Sequence, residues 1–535
     1  MATLHLHAPD GEHFLTVPVG QSVRDALDST ELRVRAACGG SGTCGACLIR
    51  YLSGAVTSLT VAEYMKINAA DRAEGVRLAC QMRLTGDAEV RLDHPAPPSE
   101  WMSIPADDLL PVSRHRPELE HHIYGVAVDL GTTHIRVALW DRKRGKRIAT
   151  RRGPNPQGIF GADVLNRLDS ARSHPGRGAE LAKLARSAIV QAVRDILARD
   201  VGEVTPMLAE IGQVIIVGNT AMLALLSGKG GNELLDPEAW LRRINCQPDD
   251  LTQWSSEWFM PHAGILLPQP VAGFVGSDLV ADLIATGLTD GPPGSLLLDV
   301  GTNTEIALWD GDTLHITSVP GGPAFEGVGI RHGMAAEPGA ICRVSAAGDG
   351  FALHLIGGGP STAARGLCGS GLADAVAVML ESGILRPSGR FALPPGPDGF
   401  RLDPENPRSA ITAGDVDAFQ RAKAATAAAM VALLESAGME WRQLRRLCVC
   451  GAFGRHLDLA HAQAVGLLPT LASCPIELYA DATLSGCEQA LLSPDAGAMF
   501  SSLTAKTKTI NLSLVDDYDD TYINHLRLRP LIQTV

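Results

Sequence analysis

The strongest constraint on the fold is a pattern that the chain uses twice. Tyr124-Gly-Val-Ala-Val-Asp129 is an apolar run ending in an aspartate; it turns through Gly131-Thr132-Thr133 and returns as a second apolar run, Ile135 to Trp140. About 170 residues later, Leu296-Leu-Leu-Asp299 turns through Gly301-Thr302-Asn303 and returns as Glu305-Ile-Ala-Leu-Trp309, in line with the first copy after one deletion. Apolar runs joined by a tight Gly-Thr turn read as buried β-hairpins. One Asp-x-Gly-Thr turn is a common connection, but two in register predict a duplicated α/β unit whose turns face each other. Facing turns of this kind suit a nucleoside triphosphate. Backbone N–H groups and hydroxyls take phosphate oxygens, and the two aspartates hold Mg²⁺ directly or through water. No Gly-x4-Gly-Lys-Ser/Thr occurs, so the phosphate loop is not of the P-loop kind.

The elements around the hairpins follow from periodicity. Gly178 to Asp200 carries Leu181, Leu184, Ala185, Ala188, Ile189, Ala192, Val193, Ile196 and Leu197 at i, i+3, i+4 spacing and reads as a long core-facing helix. Val214 to Gly218 reads as a buried strand running through Asn219-Thr220 into a helix, where Asn219 serves either as a cap or as part of an anion site. Residues 228–270 are irregular and rich in Pro and Trp, and Gly276-Ser277-Asp278 starts a further helix as its N-cap. Pro320 to Gly327 is too glycine-rich for a strand and reads as a loop near the cleft, carrying Glu326. Leu367-Cys368-Gly369-Ser370-Gly371 precedes an apolar helix and offers free N–H groups at its start. Ala413 to Ala437 is an alanine-rich helix, and Leu447 to Gly451 is a strand ending in the turn Gly451-Ala-Phe-Gly454.

The amino-terminal region carries a different chemistry. Cys38-Gly-Gly-Ser-Gly-Thr-Cys44-Gly-Ala-Cys47 places three thiols on a glycine-rich loop, and Cys80 returns from further along the chain. A C-x5-C-x2-C loop with a distant fourth cysteine is the ligand set of a [2Fe-2S] cluster, one residue longer in its first gap than the plant type. Zinc sites commonly pair two short-spaced Cys knuckles, and only one occurs here. Glycines at 39, 40, 42 and 45 let the loop adopt positive φ and approach the sulfurs. Thr3 to His7 and His13 to Val17 alternate like a hairpin, Ser22 caps a helix turn, and Ala88 to Leu92 is expected as the closing strand. Residues 1–92 resemble the hydroxylase-supporting ferredoxins, which share the spacing and imply a β-grasp fold. From Asp93 to about residue 122 the chain is punctuated by prolines and reads as an extended linker that lets the cluster domain move.

A chain of 535 residues with a 45% hydrophobic share holds several cored domains, and a net charge of −13 without a basic cluster excludes a nucleic-acid binder. Seven of the eleven cysteines lie outside the cluster motif in apolar or glycine-rich contexts, as buried thiols in a reducing compartment do. No signal sequence or membrane span is apparent, so a cytoplasmic protein is expected.

The two hairpins resemble those of the acetate and sugar kinase, heat-shock chaperone and actin superfamily (ASKHA), whose duplicated ribonuclease-H-like lobes clasp ATP. With the ferredoxin-like region in front, the chain resembles the reductive activators of corrinoid-dependent methyltransferases. That resemblance also rests on Gly218-Asn-Thr-Ala-Met, Gly322 to Gly327, Cys368 to Leu372 and Gly451 to Gly454. It implies an α/β multidomain protein: a [2Fe-2S] ferredoxin (1–92), a linker (93–122), a first lobe (123–227), an inter-lobe insertion (228–293) and a second lobe (294–535). It also implies ATP-dependent reduction of a Co(II) corrinoid protein to Co(I), an upstream donor such as a ferredoxin reductase, and a homodimer. The expected sites are Cys38, Cys44, Cys47 and Cys80 for the cluster, and Asp129 and Asp299 for Mg²⁺. Gly131, Thr132, Thr133, Gly301, Thr302, Asn303, Gly369, Gly371, Gly451 and Gly454 are expected around the nucleotide, with Glu305 or Glu326 orienting water. Ala480-Asp481-Ala482-Thr483 departs from the Gly-Asn-Ala-Ser that the resemblance leads one to expect. Two alternatives stay open: a small-molecule kinase with a redox-sensing cluster, and a nucleotide-gated scaffold. The related 2-hydroxyacyl-CoA dehydratase activators would need a cysteine pair beside a nucleotide loop, which only Cys448 and Cys450 approach.

Overall fold

A computed structural model of the chain describes every residue except 29, 31, 36–37, 39, 41, 97–98, 105–107, 113–121, 162, 198–203, 302, 349, 358–363, 452, 454–455, 472–473 and 533–535. In the amino-terminal unit, β1 (Ala2–Ala8) and β2 (Gly11–Val17) form the expected hairpin. They are followed by α1 (Val23–Asp28), whose Asp25 N–H donates to Ser22 Oγ at 3.1 Å. β3 (Leu48–Val56), α2 (Val61–Lys66), β4 (Val76–Leu78) and β5 (Leu84–Arg91) complete a sheet ordered β2-β1-β5-β3-β4. The strand expected to close the unit lies in its centre, parallel to β1 and antiparallel to β3. Inserting the last strand between earlier ones shields its apolar face, and Val90 is fully buried. α2 begins in a capping box between Thr60 and Glu63. Glu63 then accepts from Arg77 Nε at 2.7 Å and from Leu78 N at 3.1 Å, tying the helix to the strand that leads to Cys80.

The duplication read from the hairpins is present at the level of topology. β6 (Tyr124–Leu130), β7 (His134–Asp141) and β8 (Lys146–Pro154) are antiparallel; β9 (Ile211–Gly218) joins β6 in parallel, and β10 (Gly264–Leu266) joins β9. In the second lobe β11 (Ser295–Val300), β12 (Thr304–Trp309) and β13 (Leu314–Val319) repeat the antiparallel trio. Arg446–Gly451 and Ile476–Leu478 add the parallel pair, and Thr507–Thr509 adds a sixth strand beyond β13. The long helices fall at Arg177–Leu197 and Ala413–Ser436, close to their periodic patterns.

Between the sheets lie two helices, Ser277–Thr286 and Ala482–Leu492, packed with inward residues of both sheets such as Ala127, Ile215, Leu297 and Ala307. Their crossing depends on Gly486, where a Cβ would stand 1.8 Å from the Ala281 carbonyl oxygen. The helix Ala482–Leu492 belongs to the second lobe by sequence, yet Glu488 reaches the first: its carboxylate accepts from Trp140 Nε1 at 2.8 Å and from Arg147. The lobes are therefore joined by shared core as well as by chain.

Two stretches differ from their reading in sequence. Residues 228–293, read as an insertion, contribute β10 to the first sheet and bury Trp254 and Trp258 in its core. Where described, residues 93–122 are packed and not a free spacer. Trp101 and Ile104 are buried, and Met102 bridges to Arg152 on β8. Prolines prevent regular structure there, but the apolar side chains between them still find a core. Beneath this segment a buried charge network docks the cluster-bearing unit on the first lobe. Arg33 donates to Asp195 at 3.0 Å, Arg151 pairs with both Asp195 and Asp28, and Ser99 donates to Asp195 at 2.6 Å.

Candidate functional site

The cysteine loop is built as its glycines require. Gly40, Gly42 and Gly45 have φ of +92°, +82° and +74°, and side chains at the first two would collide with Arg24 and Gln81. Gly39 lies outside the described residues. Cys38, Cys47 and Cys80 are buried, and Cys44 is partly exposed. A hydrogen bond with the Cys80 thiol, then burial, pushes the Cys47 thiol well above its ordinary range. Crowded thiols of this kind suit a shared metal centre, which takes them as thiolates. Arg24 supplies a second observation in favour of an anionic group. Its side chain is 3% exposed, Asp28 and Asp25 lie 3.5 and 3.6 Å from its terminal nitrogens, and among the described residues Nε and Nη2 donate no hydrogen bond. A buried guanidinium with unused donors beside four thiols fits an iron–sulfur cluster. The loop residues therefore match the group their spacing indicates.

The second site lies in the cleft between the lobes, where the hairpin turns converge. Asp129, Gly131 and Thr132 line it from the first lobe; Asp299, Gly301, Asn303, Glu305, Glu326 and Gly451 line it from the second. Gly451, at φ +82°, closes against Asp299: a Cβ there would stand 2.4 Å from Oδ1. Asn219 does both things its position allowed. Its Oδ1 accepts from Met222 N as a helix cap, while Nδ2 donates to Thr132 Oγ1 at 3.0 Å, fixing the first turn.

Several expected residues stand elsewhere. Thr133 is exposed outside the cleft, its carbonyl accepting from Asn155 N at 2.8 Å. Gly369 and Gly371 are not among the residues lining this cleft; Cβ atoms there would stand 2.1 and 2.0 Å from the carbonyl oxygens of Phe325 and Ile341. Their smallness lets a helix start abut backbone, which reads in sequence like an anion-binding turn. Thr302 and Gly454 lie outside the described residues.

Other residues enter the cleft unannounced. Asp278, read as a helix cap, is the second residue of its helix, behind Gly276, and lines the cleft. Asp282, one turn further, accepts from Thr483 Oγ1 at 2.9 Å. Burial, then the charge of Asp299, pushes Asp278 up to about 7 and Asp282 well above its usual range. Burial likewise lifts Asp299 to about 6 and raises Glu305. These buried carboxylates lift one another along the cleft, a repulsion that a bound cation would relieve. Arg136 is the one cation lining this cleft among the described residues, at 2.9 Å from Asp129 across β6 and β7 and 2.9 Å from Asp481 on the other lobe. A sequence signal for it existed. Arg136 faces Asp129 in register as Glu305 faces Asp299, so the aligned repeat sets opposite charges at one position.

Comparison with known proteins agrees with this arrangement. Residues 7–85 match the 2Fe-2S iron-sulfur cluster binding domain, 124–291 the RACo middle region, and 294–532 the C-terminal domain of RACo, the ASKHA domain. The chain is 30% identical over 434 residues to the corrinoid activation enzyme RamQ of Eubacterium limosum, covering 76% of this chain and 70% of that protein. The chain belongs to the RACo family. A second relative, the [Co(II) methylated amine-specific corrinoid protein] reductase of Methanosarcina barkeri, is 28% identical over 65% of this chain and 66% of its own. A solved structure described as a reductive activator for corrinoid, iron-sulfur protein matches 99% of both chains with a TM-score of 0.65 at 24% identity, a likeness of fold. Among the described residues no helix is long and apolar enough to cross a membrane.

Proposed function

We propose that this chain is an ATP-dependent reductive activator of a corrinoid protein, returning accidentally formed Co(II) to the Co(I) state needed for methyl transfer. The observation that carries this reading is a four-cysteine site, in a unit docked on the first lobe, together with a two-lobed acidic cleft in the same chain, in a relative of proteins named for corrinoid activation. Cys38, Cys44, Cys47 and Cys80 would hold the [2Fe-2S] cluster, which supplies one-electron transfer when bound. Cys44, the partly exposed member, marks the side at which a partner approaches. Gln81 Nε2 donates to Cys80 Sγ at 3.4 Å and Ala46 N to Cys44 Sγ at 3.4 Å, contacts that stabilise negative charge on sulfur.

In the cleft, Asp299 and Asp278 would hold Mg²⁺, and the Gly131-Thr132 and Gly301-Asn303 turns would take phosphate oxygens of ATP. Asp129, now paired with Arg136, would be a further ligand for the cation if Arg136 paired with the nucleotide instead. Glu305 and Glu326 remain the groups for orienting water. Arg136 touches both lobes, so its choice between Asp481 and phosphate couples nucleotide binding to lobe closure. Coupling is needed because Co(I) is a stronger reductant than a cluster near about −400 mV. Each ~59 mV of that gap costs about 1.4 kcal/mol for one electron. ATP offsets it by changing the geometry of the docked corrinoid protein. In this reading the electron donor is a ferredoxin-reducing enzyme, the working unit a homodimer and the compartment the cytoplasm.

The test is anaerobic. Reduced protein is mixed with a Co(II) corrinoid protein, and Co(I) absorbance is followed with and without ATP. Formation of Co(I) only with ATP is expected, and Cys44→Ala should abolish it while nucleotide still binds. ATP consumption with cobalt left as Co(II) would move the reading to a kinase or scaffold.

A further inference from the structure

Far from the cleft in sequence, the solvent-facing side of the amino-terminal sheet gathers imidazoles and carboxylates. Alternate residues of a strand share a face. Leu4 and Leu6 of β1 therefore fill the core while His5 and His7 stand together on the outside. The register places Glu89 of β5 beside His5 in parallel and Glu12 of β2 opposite His7 in antiparallel. Three strands are thus needed to assemble the group, and none of its members belongs to the cysteine motif.

The distances suit a shared ion. One donor atom from each of His5, His7 and Glu89 lies within 4.8 Å of the others. Glu89 Oε1 is 3.5 Å from His5 Nδ1 and 2.7 Å from His7 Nε2. Four donors at the 2.0–2.1 Å typical of zinc stand roughly 3.3 Å apart in a tetrahedron, so only small side-chain adjustments separate this arrangement from coordination. Glu12 adds a second carboxylate, 3.2 Å from His5 Nε2 and 3.6 Å from His7 Nδ1. The rings are already ordered. His5 stacks on Phe14 with centroids 4.3 Å apart, and its centroid is likewise 4.3 Å from that of His7. With side chains 25%, 28% and 35% exposed, His5, His7 and Glu89 are held yet reachable.

We propose that His5, His7 and Glu89 form a binding site for a divalent first-row transition metal such as zinc, with Glu12 at hand beside it. Two imidazoles and a carboxylate favour zinc, nickel or copper over magnesium and calcium, which prefer all-oxygen shells. Without an ion, the same atoms pair through hydrogen bonds, and metal replaces the shared protons. The ion joins β1 to β5, and Glu12 on β2, facing the opposite ring nitrogens His5 Nε2 and His7 Nδ1, holds the two rings from the other side.

The experiment uses the full chain with its cluster intact, freed of adventitious metal with a mild chelator and titrated with zinc chloride. One tight zinc per chain is expected, together with a rise in the thermal midpoint. Losing an outer partner of a metal ligand costs 10–100-fold in affinity, so the ligand changes His5→Ala and His7→Ala should each cost at least about 100-fold. Glu89→Gln should weaken binding in the same direction. Unchanged visible absorption of the cluster in each variant shows that the domain is folded. The proposal is overturned by no zinc uptake at about 100 μM metal, or by uptake that is the same in the His5→Ala/His7→Ala double variant, which would place zinc elsewhere.

Discussion

Replacing Arg24 with glutamine should lower the reduction potential of the cluster. Arg24 is nearly inaccessible and has two nitrogens without hydrogen-bond partners among the described residues. Its charge is felt by Cys47 and Cys80, while burial, the largest influence on Arg24 itself, is overcome by Asp28, Asp25 and those thiols, leaving its pKa raised. A Cβ on Gly40 would stand 2.7 Å from Nη1 and 3.9 Å from Cys80 Cβ, so the guanidinium and the cysteines are near neighbours. Taking about 8 Å to the cluster centre and an effective dielectric of about 20, one unit charge contributes roughly 2 kcal/mol. For one electron that is about 90 mV. The sign follows from charge: reduction adds a negative charge, which the guanidinium favours, so its loss moves the potential down. Asp28 does not become an orphan, because Arg151 lies 3.2 Å away. An anaerobic redox titration followed by visible absorbance or electron paramagnetic resonance reads the shift, and Arg24→Lys, which keeps the charge, should shift far less. A fully loaded Arg24→Gln protein whose potential stays within about 20 mV of the parent, or rises, would refute the reasoning.

The pair Arg136 and Asp481 gives opposite signs in one assay. At about 8 Å from the phosphates and a dielectric of about 20, each unit charge changes nucleotide affinity by roughly 2 kcal/mol, or about 30-fold. Arg136→Gln should therefore weaken binding of a non-hydrolysable ATP analogue, and Asp481→Asn should tighten it, by calorimetric titration with Mg²⁺; shifts in the same direction would contradict the assignment. Lys423 is fully buried with Nζ donating to the Arg527 carbonyl at 2.6 Å, and burial pushes its pKa from an ordinary 10.5 down to about 7. Between those values the unfolded chain binds a proton that the native state does not, so this residue makes stability rise with pH across that window. Lys423→Met should flatten that slope, as measured by the half-life of unfolding at neutral and alkaline pH; an unchanged slope would remove Lys423 as its source.

The parts of the fold that could be read in sequence share a physical basis. Asp129 and Asp299 were legible because each sits at the end of its own apolar strand, and the turn that follows involves only the next few residues. Gly40, Gly42 and Gly45 were legible because a loop carrying three close thiols needs backbone that only glycine adopts easily. Gly369 and Gly371 misled for the complementary reason: small residues at a helix start serve close packing as well as anion binding, and only the carbonyls of Phe325 and Ile341 tell which. Asp278 was hidden behind a plausible capping role, and Arg136 behind a strand that looked merely apolar.

Local spacing by itself determined the cysteine loop, the two hairpins, the long helices and the duplication, because these depend on contacts between residues a few positions apart or on a repeat visible along the chain. Tertiary structure alone decided that β5 enters the middle of its sheet and that the proline-rich segment is packed. It also decided that Asp195 and Asp28 lock the cluster-bearing unit onto the first lobe, and that Asp278, Asp282 and Asp299 share one buried space. Those outcomes turn on electrostatic neighbours and steric fit between residues distant in sequence. A carboxylate's charge state, and therefore its chemistry, is set by whatever the fold brings within a few ångströms of it.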